Sequence, residues 1–157
     1  MKKHVFTNLF LFFLLTTGCG FKVVDHSKLR NFDIAEIITS GDNRINYKIK
    51  NKLIFNSKSN EKNLITVYLD TNKEKSVKEK NIKNEITKYQ ISITIKVKYK
   101  KINEDNFSSF EILKSANYSV SKQYSQTLNN EKKLIDQLTN DLANKILEEL
   151  IFSLNAI

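Results

Sequence analysis

Few side chains in this sequence could do chemistry, and histidine, glycine and paired carboxylates are the first to consider. His4 and His26 are the only histidines among the 157 residues, which is too few for an acid–base pair or a metal cluster built on imidazole. The three glycines form no phosphate-binding loop. Neighbouring acids such as Glu104 and Asp105 resemble ordinary turn residues. We therefore predict that the chain is not an enzyme and that it uses no metal and no cofactor.

The single cysteine, Cys19, is the strongest candidate for covalent chemistry. It has no partner for an intramolecular disulfide, which leaves a free thiol, an intermolecular bridge or a thiol consumed by modification. Residues 1–18 combine a positive start, a short apolar run and a small-residue end, as a secretory signal peptide does. The apolar run is shorter than the about 20 residues that span a bilayer. The stretch around Gly18-Cys19 resembles the lipobox of bacterial lipoproteins.

The lipobox resemblance divides the chain into three parts. It implies a signal peptide over residues 1–18, a lipidated N-terminus and tether over residues 19–31, and one domain over residues 32–157. In such lipoproteins a diacylglycerol is joined to the cysteine sulfur, and the new amino terminus is acylated, for example with palmitate. Two or three acyl chains anchor a protein stably where one does not. Gly20 stands where an aspartate commonly causes inner-membrane retention, so we expect the periplasmic side of the outer membrane.

The chain is basic, with a formal net charge of +9. Removing Lys2 and Lys3 with the signal peptide leaves 24 basic against 17 acidic residues, a formal charge of +7. Such a charge favours an anionic partner through long-range attraction. We do not expect nucleic acid to be that partner, because the chain is predicted to be exported.

The elements that must position any site are organised around one long strand over Lys88–Lys100. Its apolar side chains alternate with polar ones: Tyr89, Ile91, Ile93, Ile95, Val97 and Tyr99. Because side chains on a strand point alternately to opposite faces, this pattern predicts one apolar face and one face that carries Lys96, Lys98 and Lys100. A sheet of such strands is covered on one side only, and it is antiparallel or mixed.

Two strands and a helix are predicted before the long strand. Phe32–Thr39 and Leu64–Leu69 are rich in β-branched and apolar residues. Between them, Ser40-Gly41-Asp42 supplies the start of an amphipathic helix of about 14 residues. Its apolar positions recur at four-residue spacing: Ile45, Ile49 and Leu53. Its lysine-rich face either is solvated or touches anionic lipid. Asp70–Asn84 is predicted to be a solvated hairpin connection or a strand extension on the surface.

A strand and a helix are predicted after the long strand. The turn cluster Asn103–Asn106 indicates that the chain reverses there. The apolar side chains that follow keep one parity: Phe110, Ile112, Ala116, Tyr118, Val120 and Tyr124. Two long antiparallel strands therefore pair across the turn. Apolar residues at three- and four-residue steps predict a closing helix over Thr127–Leu154, capped by Thr127 or Asn130.

These elements predict an α/β (α+β) fold. Each predicted helix has one apolar stripe, and the predicted sheet has one apolar face. The simplest way to bury all three is a two-layer sandwich, with two helices packed on one face of a roughly four-stranded, mixed and mostly antiparallel sheet.

The order of these parts resembles that of the LPS-assembly lipoprotein family LptE. The likeness lies in Gly18-Cys19-Gly20-Phe21 at the processing site, in the long strand that opens at Tyr89, in the segment from Ala116 to Tyr124, and in the closing helix from Glu131 to Ile146. It extends over essentially the whole mature chain. Members of this family form a plug inside the outer-membrane β-barrel protein LptD, help that barrel to assemble and bind lipopolysaccharide. The resemblance implies the same partners for this chain.

Lipopolysaccharide carries phosphates, and lysine meets phosphate as a point charge. We therefore expect Lys96, Lys98 and Lys100 to contact it, together with Lys75 and Lys78 of the connection. Strand parity gives the first three one face, whereas nothing in the sequence shows that the connection joins them. The alternative is that these lysines only keep a strand soluble and prevent edge pairing.

A function from another class also stays open. In that alternative the chain is a structural lipoprotein subunit of a different envelope complex, such as the barrel-assembly machine or a secretion channel, and it has no glycolipid ligand. Both functions expect a membrane contact through the N-terminal lipid anchor.

Overall fold

A computed structural model describes residues 32–55 and 63–155 of the chain. Within these ranges the elements, in chain order, are β1 (Asp33–Gly41), α1 (Asn43–Phe55), β2 (Leu64–Lys80), β3 (Ile86–Lys101), β4 (Ser108–Ser119) and α2 (Tyr124–Asn155). The predicted signal peptide, Cys19 and the tether lie outside the described residues.

The four strands form one sheet in the order β1-β2-β3-β4. β1 and β2 are parallel and are connected through α1, whereas β2, β3 and β4 are antiparallel neighbours. Both helices pack on the same face: α1 contacts β1 and β2, α2 contacts β3 and β4, and the helices contact each other. The predicted two-layer α+β sandwich with a mixed sheet is confirmed.

The core between these layers is built from the residues that alternation and helical spacing predicted. β3 buries Ile91, Ile93, Ile95, Val97 and Tyr99. α1 buries Ile45, Ile49 and Leu53, and α2 buries Leu138, Leu142, Ile146 and Leu150. One-sided burial of the sheet follows, because the residues between these positions on β3 point away from the helices.

β2 is much longer than the strand predicted from its apolar start. It pairs with β3 as far as Lys80 opposite Ile86, although β1 pairs with it only up to Thr71. Of the two alternatives for Asp70–Asn84, the strand extension is therefore correct, and the turn is confined to residues 81–85. The side chains of the extension are mostly polar, so the sequence does not reveal that this segment is a strand paired along one edge.

The turn after β2 is held by the side chain of Asn81. Its Oδ1 accepts hydrogen bonds from the backbone N–H groups of Lys83 at 2.9 Å and Glu85 at 3.0 Å. Asn84 has a φ of 62°, a left-handed conformation that asparagine tolerates better than most residues. Ile82, at the tip, is fully exposed. The turn is thus held by hydrogen bonds and exposes an apolar side chain at its tip.

The last strand is shorter than its parity indicated. β4 ends at Ser119 and α2 begins at Tyr124, so the prediction that Val120 and Tyr124 extend the apolar face was wrong. The Gln123 carbonyl accepts a hydrogen bond from the Thr127 N–H at 3.2 Å, which starts the helix there. Tyr124 is 75% exposed. The two-residue parity continued by chance across a change from strand to helix.

The predicted cap of α2 was also wrong, because the helix begins upstream of both candidates. Thr127 is buried, and its Oγ1 accepts a hydrogen bond from the Ser121 N–H at 2.9 Å. Asn130 Nδ2 donates to the Ser119 carbonyl at 3.2 Å. Both side chains instead tie the first turns of α2 to the end of β4.

α1 begins where the sequence predicted. Asp42 Oδ1 accepts hydrogen bonds from the N–H groups of Arg44 and Ile45 at 3.1 Å each, which is an N-cap. Gly41, just before it, has a φ of 87°, and a Cβ at this position would lie 1.9 Å from the Thr71 carbonyl oxygen. Both the backbone conformation and the close approach to β2 therefore require glycine.

Candidate functional site

The face of the sheet opposite the helices is here called the open face, because neither α1 nor α2 covers it. Lys96, Lys98 and Lys100 alternate along β3 with the buried Val97 and Tyr99, so all three project from the open face. The first two are exposed, and Lys100 is half-buried. The expectation that these lysines share one face is confirmed. Their contact with lipopolysaccharide stays a prediction.

Lys96 lies in a row of alternating charge across the sheet. It is directly opposite Asp70 of β2 on one side and Glu111 of β4 on the other. The Ser40 hydroxyl donates to Asp70 Oδ1 at 2.8 Å, which orients that carboxylate. Opposite charges on directly opposed residues attract each other across strands. Lys96 therefore lies between two carboxylates, which offset part of its charge.

Lys98 and Lys100 have different neighbours. Lys98 lies opposite Tyr68 and Ser109, and Lys100 lies opposite Thr66. None of these three partners is acidic. The positive charge that the open face offers to a ligand is therefore concentrated at Lys98 and Lys100.

A groove of about 630 Å³ lies beside these lysines. Its lining includes Ile38, Tyr68 and Phe107 together with Lys96 and Lys98. The rings of Tyr68 and Phe107 meet edge to face, with their centres 5.7 Å apart. A groove of this size is within the range of roughly 300–1,000 Å³ that small-molecule sites occupy.

The groove combines apolar surface with positive charge. Phe107 is 55% exposed and Ile38 is 42% exposed, so part of the lining is open to a ligand. The Lys100 ammonium lies 5.4 Å from the centre of the Phe107 ring, which is a cation–π distance. An amphiphilic anion fits this chemistry, since its apolar part can cover the rings and its anionic group can reach Lys98 and Lys100.

Lys75 lies on the other face of the sheet, away from the three lysines of β3. It stands directly opposite Ile91, whose side chain is in the core, and therefore projects towards the helices. Its ammonium is 2.6 Å from Glu131 Oε2 of α2 and 4.4 Å from the centre of the Tyr89 ring. The structure does not bring Lys75 together with Lys96, Lys98 and Lys100, because β2 keeps its alternation unbroken up to this point.

The environment of Lys75 shifts the pKa values of three groups. Burial would raise the pKa of Glu131, but hydrogen bonds from Lys75 and Tyr118, together with the lysine charge, hold it below its usual range. Burial would lower the pKa of Lys75, yet its bonds to Glu131 and Tyr118 raise it. Burial and the hydrogen bond to Glu131 raise the pKa of the Tyr118 hydroxyl. The cluster therefore holds an ion pair at neutral pH.

The remaining predicted site residues are Lys78 and Cys19. Lys78 is exposed and lies in a bulge of β2 between Val77 and Glu79, where the pairing with β3 shifts. The bulge separates it from the regular alternation that aligns Lys96, Lys98 and Lys100. Cys19 lies outside the described residues, so its lipidation stays a prediction.

Sequence reasoning missed the apolar half of the groove. Tyr68 continues the parity of Thr66 and Asp70 on β2, which was a signal that its ring faces away from the core. Phe107 lies in the turn before β4, and no periodicity could place it over Tyr68.

Two further searches bear on the class of site. Among residues 32–55 and 63–155, no group of three or more His, Cys, Asp or Glu side chains is placed to hold a metal ion. In the same ranges, no helix has both the length and the apolar character needed to cross a membrane.

Comparison with known proteins identifies the fold. No family model and no curated protein matches this chain. Among solved structures, it is similar to lipoprotein B from Nitrosomonas europaea, with a TM-score of 0.61, 12% identity, and coverage of 80% of this chain and 86% of that one. Rare lipoprotein B from Shewanella oneidensis gives a TM-score of 0.57 at 12% identity, covering 75% of this chain and 95% of that one.

A third similar structure is a minor lipoprotein from Acinetobacter baumannii. It has a TM-score of 0.55 at 12% identity, with coverage of 77% of this chain and 94% of that chain. At these identities the likeness shows a shared fold. The sandwich described above is therefore an architecture that these bacterial lipoproteins have.

Proposed function

We propose that this chain is an outer-membrane lipoprotein of the LptE type, which plugs an LptD-type β-barrel, assists its assembly and takes part in lipopolysaccharide transport. The lipobox-like residues at Cys19 and the fold shared with lipoprotein structures support the proposal. The observation that carries it is on the open face, where Lys98 and Lys100 lie beside an apolar groove. That pairing suits an amphiphile with phosphate groups.

The expected mode of binding follows from the groove. Lipid A combines acyl chains with phosphates, so its apolar part would cover Tyr68 and Phe107 while a phosphate meets Lys98 and Lys100. Charge-assisted hydrogen bonds to phosphate are stronger than neutral ones, and salt weakens them at exposed sites. Binding at this face should therefore weaken as the ionic strength rises.

The rest of the open face is compatible with a position inside a barrel. Beyond the groove, β3 and β4 present uncharged polar side chains on this face: Gln90, Ser92, Thr94, Ser115 and Asn117. The interior of large outer-membrane barrels is polar and wet. A plug whose face is mostly polar can stay hydrated there.

The ligand is tested by a triple variant of the open-face lysines, K96Q/K98Q/K100Q. We expect its affinity for lipopolysaccharide to fall by about tenfold or more at low salt, with a weaker salt dependence, because phosphate contacts are lost. The matched control, K132Q/K133Q/K145Q, removes the same formal charge from α2 and should bind as the wild type does. Equal losses in both variants, or unchanged affinity in the first, would remove lipopolysaccharide from the proposal.

The partner is tested by affinity capture with the full-length acylated chain. Recovery of a large barrel with a periplasmic transport domain supports the LptE-type function. Recovery of a complex of several lipoproteins without that barrel supports the alternative, a structural subunit of a different envelope assembly.

A further inference from the structure

One end of the domain is formed by segments that are distant in the sequence. β1 begins there with Asp33, which is paired with Leu64 at the start of β2. The Ile102 N–H donates to the Leu64 carbonyl at 3.0 Å, which brings the turn between β3 and β4 to the same end. α1 starts beside Thr71, where the Asp42 N–H donates to the Thr71 carbonyl at 3.0 Å, and it runs back towards this end.

Both helices finish at this end. Two side-chain contacts join them, Lys48 with Asp136 and Lys52 with the Asn140 carbonyl. Between these two contacts the chain advances by four residues in α1 and by four residues in α2, so the helices run in the same direction. Phe55 is the last residue of α1, and Phe152 lies in the last turn of α2. Both residues therefore lie near the end at which β1 begins.

Large apolar side chains are exposed at this end, which we call the anchor end. They are Ile54, Phe55, Ile102, Phe107 and Phe152. Phe55 is 90% exposed and Phe152 is 73% exposed, which are high values for phenylalanine. Large exposed apolar side chains at one end of a domain are candidates for contact with protein or membrane.

Among the residues that the structure describes, the charges at the anchor end are balanced. Three lysines belong to it, and so do three acids: Lys52, Lys100, Lys101, Asp33, Glu104 and Asp105. Apolar insertion, rather than attraction to a charged surface, is therefore the force that would hold this end on a partner. Phenylalanine together with lysine is a common composition of protein surfaces that lie in the interface of a bilayer.

The chain that precedes the domain enters it at the same end. Cys19 lies 13 residues before Phe32, and a fully extended segment of this length spans at most about 45 Å. A short tether raises the local concentration of the domain at the leaflet that holds its acyl chains, so weak apolar contacts become effective. Because the tether starts at the anchor end, that end is the first to meet the lipid.

We propose that the anchor end docks on the phospholipid leaflet that holds the acylated Cys19, with Phe55 and Phe152 inserted at the headgroup level. This docking rests on the proposed lipid anchor and goes beyond it, since an anchor alone does not orient the domain. The tip of the β2–β3 hairpin, with Ile82, then points away from the leaflet. β2 has 17 residues, so the tip stands about 55 Å from the anchor end.

Site-directed spin labelling tests this orientation in the full-length acylated protein. Once Cys19 is acylated, an introduced cysteine is the only free thiol in the chain. Single labels at F55C and F152C are compared with a label at I82C, a fully exposed position at the opposite end. The protein is reconstituted in nanodiscs of phosphatidylethanolamine and phosphatidylglycerol, and collisions with oxygen and with a water-soluble nickel complex are measured.

We expect the oxygen-to-nickel collision ratio at positions 55 and 152 to exceed the ratio at position 82 several-fold. Aqueous values at positions 55 and 152, in protein with acylated Cys19, would overturn the docking and leave the anchor intact. A lipid value at position 82 alone would show that the opposite end docks. Spin–spin broadening between molecules at position 55 would show that a second copy covers the anchor end. The last two results also overturn the proposal.

Mass spectrometry of the same preparation shows whether Cys19 is acylated, so that a failure of the docking alone can be told from a failure of the lipid anchor. If Cys19 carries no acyl chain, the lipid anchor fails and the docking fails with it. A double variant, F55S/F152S, checks the lipid contact without a label. It should be acylated normally but leave a label at I102C with an aqueous collision ratio. I82S/Y124S, which removes exposed apolar side chains from the other end, should leave that ratio unchanged.

Discussion

The Lys75 ammonium lies 2.6 Å from Glu131 Oε2, and the Tyr118 hydroxyl donates to the same oxygen at 2.6 Å. This contact joins the extended half of β2 to the first turns of α2. The aliphatic core ends near Ile91, whereas Lys73 and Lys75 stand on the core face of the extension. Polar contacts therefore hold this part of the domain in place of an apolar core.

We predict that E131Q lowers the free energy of unfolding by about 1 kcal/mol at neutral pH, because it removes a partly exposed ion pair and weakens the bond to Tyr118. Urea unfolding measures the change. E148Q is the control, since Glu148 makes only a surface contact with Lys145 at 3.5 Å. Equal effects of the two substitutions would show that the Lys75–Glu131 contact contributes no more to stability than a surface ion pair does.

The same glutamate predicts a pH dependence. The pKa of Glu131 is lower in the folded state than its ordinary value. The contribution of Glu131 to stability is therefore complete when the pH is above the ordinary pKa, and it is lost as the pH falls through the pKa of the folded state. The difference in unfolding free energy between wild type and E131Q should therefore shrink between about pH 5 and pH 3. A difference that stays constant over this range would contradict the assignment.

Gly41 is predicted to tolerate no side chain. G41A would place a Cβ 1.9 Å from the Thr71 carbonyl oxygen at a residue with a φ of 87°. We expect a loss of more than about 2 kcal/mol, since left-handed strain and a backbone clash act together. Chemical denaturation of G41A measures it. An unchanged midpoint would mean that Gly41 and the Thr71 carbonyl are not this close.

Two leucines are predicted to behave in opposite ways. Leu142 is completely buried in α2, whereas Leu113 is 62% exposed on the open face. L142A should lose about 2–5 kcal/mol of unfolding free energy by leaving a cavity, and L113A should change it by less than about 0.5 kcal/mol. The pair is compared by urea unfolding. A large loss in L113A would show that the open face is covered in solution.

The lysines of the open face are predicted to differ in their contribution to anion binding. K98Q should weaken binding of lipopolysaccharide by about threefold to tenfold, whereas K96Q should change it by less than about twofold, because Asp70 and Glu111 already compensate Lys96. Isothermal titration of each single variant measures the difference. If K96Q has the larger effect, cross-strand compensation does not control this site.

The sequence was sufficient to predict β3 and the one-sided sheet, because Ile91, Ile93 and Ile95 alternate with polar residues for as long as the strand lasts. It was not sufficient for the face of Lys75. That face depends on β2 continuing as a strand through polar residues, and on Glu131, 56 positions further along the chain. Neither of these can be predicted from the local periodicity of the sequence.

The groove shows a similar limit. Strand parity placed Lys96, Lys98 and Lys100 together, but it could not rank them, because their neighbours come from two other strands. Phe107 reaches Tyr68 from a turn, and turn residues follow no period. At the start of α2, the parity through Tyr124 was misleading because the alternation continues by chance across the change from strand to helix.

The extension of β2 beyond the reach of β1 leaves a free strand edge over residues 72–80 of the described chain. Lysines recur along it: Lys73, Lys75, Lys78 and Lys80. Charged side chains on an exposed edge discourage a neighbouring molecule from adding its own strand. We therefore expect these lysines to discourage edge-to-edge association of the hairpin with a second molecule.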